Sequence, residues 1–377
     1  MLTSSSKSLK GVSSLVLDLL RLLCAIVVLM VHCHGIWFPA HWEDLLPSRS
    51  AHGAVIIFFV LSGYVIAYTT SSGHRSASQY AIARLTRLCS VYFPAIALTI
   101  VCALAAWSIN PVVYSSFDKG NNIPRYFLSM IYCNEIWFLS AAPAINGPLW
   151  SLGYEFWYYV LFGVSIYRLE GWKGWILPLL VAAFIGPKIL AMMLIWMMGW
   201  AAFHIGKPRL TISLSWVLVA IFFVISFLLM IKLPPMPYAF GASPLFYGAT
   251  FFTDWIVGLF IAFAIWLLPS DIETPLKDSV SLKRMRIIAN LTFPIYVLHF
   301  PLLVLVKSIL PSSISLFTQS IIGGILALIV CVILGLWVES YKNSWKGLFE
   351  WLFNTVFRRT KFGRYAAPKV GTDSFNI

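Results

Sequence analysis

Residues 15–37 read LVLDLLRLLCAIVVLMVHCHGIW. About 20 apolar residues, rising about 1.5 Å each, are what a helix needs to cross the roughly 30 Å hydrocarbon layer of a bilayer. This run has that length. Asp18 and Arg21 interrupt it near one end, and His32 and His34 lie near the other. It continues too smoothly for a removed leader, and no small-residue cleavage site is evident, so it reads as a retained membrane helix. That reading sets the frame for the rest of the chain.

The 377 residues are 60% hydrophobic and 11% charged, against about 25% charged in ordinary soluble domains. The missing charge places most of the chain in lipid. Ten spans follow: 15–36, 52–71, 88–109, 149–168, 174–187, 188–206, 212–232, 248–268, 288–308 and 317–339. The pair 174–187 and 188–206 is split by Gly186-Pro187. A shorter apolar stretch, YFLSMIYCNEIWFLS (126–140), holds Glu135 and reads as an interfacial or re-entrant segment of the long loop 110–148.

An even count puts both termini on one side. With the N-terminus inside, 21 of the 27 Lys and Arg fall on inner segments, as expected for cytoplasmic loops. The expectation is an all-α polytopic membrane protein of about ten transmembrane helices, both termini cytoplasmic. The same placement accounts for the net charge of +13 without nucleic acid. The membrane domain covers 1–339. A cytoplasmic tail, 340–377, begins amphipathically with WKGLFEWLFNTVFRR and lies on the inner surface, its last dozen residues disordered. We see no internal repeat and expect no appended soluble domain. Six cysteines without CxxC spacing read as small buried hydrophobes, with neither disulfides nor a metal site.

Ionisable groups at membrane depth are costly, which makes each a candidate for function. Asp18 and Arg21 are three apart and can pair; the alternative is plain charge neutralisation near the inner interface. His32 lies eleven residues beyond Arg21, close to three full turns and about 16 Å along the same face. Glu155, entering from outside, and His299, arriving from inside, come out near the depth of His32. Arg84 and Arg87, with Arg21, form a cytoplasmic cluster suited to phosphates by charge-assisted hydrogen bonds, or a set of topological anchors. A phosphate-headed carrier with a long arm fits the line from Arg21 to His32.

The motifs LDLLRLLCAIVVLMVH (17–32), FFVLSGYVI (58–66), RLTRLCSVYFP (84–94), LWSLGYEFWYY (149–159) and IYVLHFPLL (295–303) resemble, in order and over nearly the whole chain, those of the acyltransferase family 3 membrane proteins. The second-span motif departs from the family's: GAVIIFF (53–59) has no carboxylate. The resemblance implies transfer of an acyl group, often acetyl, from cytoplasmic acyl-CoA to a hydroxyl on a glycan or glycolipid precursor, in a bacterial inner membrane. Acyl-CoA is then the co-substrate, with no metal, and membrane lipids and the acceptor are the partners. On this reading His32 is the general base. Glu155 orients it as the acid of a triad does, or binds the acceptor. Arg21, Arg84 and Arg87 hold the CoA phosphates. Trp150, Ser151, Tyr296 and His299 bind the acceptor or stabilise an oxyanion.

Other polar residues are weighed as structural. Asp254 and Asn290 read as packing partners, His41, His52, His74 and His204 carry no assigned role, and Ser62 and Gly63 read as small residues that let helices approach. Two other functions compete. A proton-coupled transporter of a small or glycan-linked solute would use intramembrane His and Glu, but leaves the inner arginines without a ligand. A non-catalytic assembly subunit would tolerate loss of His32.

Overall fold

The computed structural model describes residues 12–39, 49–71, 76–269 and 287–357. Among them there is no strand. The helices are α1 (Val12–Trp37), α2 (Arg49–Ser71), α3 (Ala77–Ile109), α4 (Pro111–Ser115), α5 (Asn122–Met130), α6 (Trp150–Ile166), α7 (Ile176–Ile185), α8 (Pro187–His204), α9 (Ile212–Lys232), α10 (Phe251–Trp266), α11 (Thr292–Ile309), α12 (Leu316–Ser340) and α13 (Lys342–Phe357).

Each of the ten expected spans falls on a helix, and the helices differ in length. Six, namely α1, α2, α3, α9, α11 and α12, are long and apolar enough to cross a membrane. α7 and α8, with the turn preceding α7, are bent by 116° at Gly186 and supply one further span at most. α6 and α10 have 17 and 16 residues, about 25 Å at about 1.5 Å per residue, which is short of the hydrocarbon layer. By length and composition the described helices thus give six or seven spans.

A few contacts define the two ends of the bundle. Arg49 donates to the carbonyl of Leu233 at 2.6 Å and Lys307 to that of Ile36. These join the start of α2 to the end of α9, and the end of α11 to the end of α1, at what we call the Trp37 end. At the opposite, Val12 end, Ser13 donates to the Pro269 carbonyl and Lys207 to that of Leu268.

The closest crossing is α2 on α8. A Cβ added at Gly63 would stand 1.9 Å from the Trp196 carbonyl oxygen, and one at Gly199 would stand 1.9 Å from that of Val60. Between apolar helices in lipid, backbone contact of this kind supplies the packing that the hydrophobic effect does not.

α11 is the central post, packed on α1, α3 and α12. Its Pro301 has no N–H to give Val297, four residues back, so that carbonyl needs another donor. The buried Asn146 amide supplies it at 3.0 Å and also donates to Thr99 at 2.9 Å, tying the segment before α6 to α3 and α11. The expected interfacial stretch 126–140 is the latter part of α5 followed by turns. Its Glu135 meets Lys188 at 2.7 Å with both side chains fully buried. The first part of the expected tail is the packed helix α13, where Trp345 stacks on Phe93 of α3 at 5.8 Å; residues 358–377, with the expected disorder, lie outside the described residues, as do His41 and His74. All six cysteines are free and buried.

Candidate active site

The polar centre of the bundle is a pair of histidines. α11 packs against α1 and brings His299 to His32, with Nε2 of His299 2.8 Å from Nδ1 of His32. The rings stack 5.1 Å apart at 11°, and Phe300 closes one side edge-on at 5.2 Å. Nδ1 of His299, a fully buried residue, lies 3.0 Å from the Ile295 carbonyl oxygen. A carbonyl only accepts, so this nitrogen carries the proton. With both rings neutral, Nε2 of His299 holds a lone pair, and His32 Nδ1 must donate to it. The lone pair of His32 therefore sits on Nε2. The Tyr-x-x-His turn thus fixes the tautomer of a ring on another helix.

Toward the Val12 end lies a cavity of about 130 Å³. Its lining includes the charged Asp18 and Arg21 of α1, Arg87 of α3, and Glu339 and Lys342 where α12 meets α13. Arg21 lies 3.4 Å from Asp18 and Lys342 2.5 Å from Glu339. One carboxylate occupies few of the five donors of a guanidinium, leaving the others for an anionic ligand. Deeper, the lining is Ser62, Ser151, Glu155 and Tyr296. The Tyr296 ring centre is 6.3 Å from that of His299.

The expected site residues do not form one cluster. Glu155 faces α2, where it accepts from Ser62 at 3.0 Å, and it also accepts from Tyr159 of its own helix. Trp196 donates to the same Ser62 oxygen at 3.2 Å. The ring partner of His32 is accordingly His299 and not Glu155, because α11 is the helix laid against α1. The three arginines also divide. Arg21 and Arg87 line the cavity described above. Arg84 lines a second, mainly apolar cavity of about 430 Å³ between α3 and α6, with its guanidinium 5.8 Å from the Tyr159 ring centre. Ser151 and Tyr296 share a hydrogen bond of 2.7 Å, whereas Trp150 stacks on Tyr247 at 4.6 Å.

Sequence reasoning passed over Lys342 and Tyr159, and Asn290, read from the sequence as a packing partner, stands with Lys342 in the cavity wall. Tyr159 had a signal, since it stands four residues after Glu155 on the same helix face. Lys342 had none, because only the fold carries the start of α13 to Arg21.

Fold and site define a class first: a multi-pass helical membrane protein with a polar centre buried among its helices. Comparison narrows this. The acyltransferase family 3 model, described as an acyltransferase domain, matches residues 15–336, and the chain belongs to that family. Over 178 residues it is 33% identical to the O-acetyl transferase of Shigella phage Sf6, a match covering 44% of this chain and 49% of that protein. The chain thus spans about half the length of this curated relative. No solved structure matches.

Proposed function

We propose that the chain is a membrane O-acyltransferase that moves an acyl group, acetyl by kinship with the phage O-acetyl transferase, from acyl-CoA to a hydroxyl of a surface glycan or glycolipid precursor. The observation that carries this is the hydrogen-bonded histidine pair, whose second bond, to the Ile295 carbonyl, leaves, with both rings neutral, a lone pair on His32 Nε2. His32 takes the proton of the acceptor hydroxyl as that oxygen attacks the thioester carbonyl carbon. The C–S bond then breaks, and His32 returns the proton to the departing CoA sulfur. His299, accepting from His32 Nδ1, stabilises the imidazolium that forms between these steps. General-base catalysis of this kind contributes typically about 10²–10⁴-fold.

Arg21, Arg87 and Lys342 hold the phosphates of CoA at the cavity mouth, and the pantetheine arm runs the roughly 16 Å from Arg21 to His32. Glu155, flanked by Ser62 and Tyr159, shapes the wall along which that arm lies. The membrane arrangement we favour is ten crossings with both termini cytoplasmic in a bacterial inner membrane. Its support is the concentration of Lys and Arg on one set of connecting segments. Family membership favours this enzyme over the transporter reading.

The test uses purified protein in liposomes with radiolabelled acetyl-CoA. Label leaves CoA, and appears in glycolipid when a membrane extract of the native host is added. A folded protein that neither binds nor turns over acetyl-CoA, with and without the extract, contradicts the proposal.

A further inference from the structure

A second polar cluster lies at the Trp37 end, away from the cation-lined cavity. His52, in the first turn of α2, places Nε2 3.0 Å from Oδ2 of Asp254 on α10. Thr250 donates to the same oxygen at 2.9 Å. The His52 and Asp254 side chains are only 9% and 6% exposed. Because the carboxylate accepts, Nε2 of His52 carries the proton and Nδ1 holds the lone pair of the neutral ring. That Nδ1 is buried and has no hydrogen-bond partner among the described residues. A buried acceptor without a donor is disfavoured, and the usual remedy is a ligand or water that donates to it.

The walls of the cluster are aromatic. Trp150 stacks on the His52 ring at 5.9 Å and Phe240 meets it edge-on at 4.8 Å. Phe240 belongs to the irregular stretch 233–250. That stretch is fastened to α10 by Thr253, which donates to the Pro234 carbonyl at 2.7 Å and accepts from the Met236 N–H at 3.0 Å. Phe240 is 46% exposed, so the cluster meets the surface there. Among the described residues no three metal-ligating side chains gather, which argues against a cation. Aromatic walls covering C–H faces around one oriented nitrogen acceptor suit a hydroxyl-bearing ring. The cluster also adjoins the reaction centre: Ser151, next to Trp150, is bonded to Tyr296, and Tyr296 lies one turn from His299.

We propose that His52, oriented by Asp254 and Thr250, accepts a hydrogen bond from a hydroxyl of the sugar acceptor at the Trp37 end, opposite the donor mouth. This rests on the O-acyltransferase reading. His52 is then a substrate-binding residue, and Asp254 and Thr250 are positioning residues. An alternative role as a mere tie between α2 and α10 makes a different prediction, because the two amide replacements copy different ring nitrogens. Gln reaches the place of Nε2 and keeps the bond to Asp254. Asn reaches the place of Nδ1 and keeps the acceptor.

The experiment compares wild type, His52→Gln, His52→Asn and Phe240→Ala in liposomes. It measures KM for acetyl-CoA and apparent KM for a glycolipid fraction extracted from native host membranes. We expect His52→Gln to raise the glycolipid KM about tenfold, more than any change in the acetyl-CoA KM, and His52→Asn to raise it less. Phe240→Ala, at an exposed position that tolerates truncation, raises it about fivefold. The inference is overturned if Asn is worse than Gln, if both KM values rise in step, or if neither moves. Should His52→Gln not fold, an unchanged glycolipid KM in Phe240→Ala overturns it. A wild type inert toward acetyl-CoA defeats the functional reading itself, and the inference falls with it.

Discussion

Glu135 and Glu155 are both carboxylates among the helices, yet their surroundings differ in kind. Glu135 is fully buried against a fully buried Lys188, at 2.7 Å. Ser140 donates to it, and Lys188 also donates to the Leu139 carbonyl. Every partner is part of one closed knot that holds the turns after α5 to the start of α8. Among the described residues no cation is hydrogen-bonded to Glu155. Its partners are the hydroxyls of Ser62 and Tyr159, and it lines a cavity. The difference offers a way to sort costly intramembrane charges: one is sealed by its own counter-ion inside the fold, while the other is held by hydroxyls at a cavity wall, where a ligand can reach it.

That contrast breaks most visibly in stability. Lys188→Ala leaves the Glu135 carboxylate buried and unpaired, and we expect a loss of about 3–5 kcal/mol, read as a lowered melting temperature in detergent. Glu135→Leu combined with Lys188→Met recovers most of it, since an apolar pair of similar volume avoids the uncompensated charge. Glu155→Gln behaves oppositely. It shifts stability by less than about 1 kcal/mol, as its partners can still donate to the amide oxygen, while acetyl transfer falls at least about tenfold.

The arginines sharpen the comparison at a smaller scale. Arg21→Ala raises the KM for acetyl-CoA about tenfold, the loss of a charge-assisted contact to phosphate. Arg84→Ala, in the neighbouring apolar cavity, changes it less than about threefold. Equal effects from Arg21 and Arg84 would mean that the two cavities serve one ligand. Lys342→Ala is expected between them, since its ammonium is shared with Glu339 and its side chain is 42% exposed, where screening weakens a charge.

How far the sequence carried these assignments depends on what a membrane helix reveals. Position along the chain was legible: the runs around Arg21, Phe58, Arg84 and His299 all became helices, and the depth match of His32 with His299 became a hydrogen bond. Rotation about each helix was not. In a soluble protein an apolar stripe shows which face turns inward. In lipid the outer face is as apolar as the inner one, so α2, α11 and α12 carry no such stripe. That is why Glu155, at a suitable depth, turned out to face Ser62, and why Arg84 parted from Arg87. His52 and Asp254, 202 positions apart in the chain, pair only because α10 lies against α2. The span count was less legible for a related reason: hydropathy reports neither the 116° bend at Gly186 nor how short α6 and α10 are, so length and composition support six or seven of the ten expected spans.

The central claim is that His32 is the base of an acyl-CoA reaction. The most direct measurement is single-turnover loss of label from radiolabelled acetyl-CoA, with wild type and His32→Ala reconstituted side by side and acetyl-CoA binding measured on the same samples. The account predicts that His32→Ala still binds acetyl-CoA while its rate falls about 10²–10⁴-fold. A folded His32→Ala protein that releases label at the wild-type rate would contradict it.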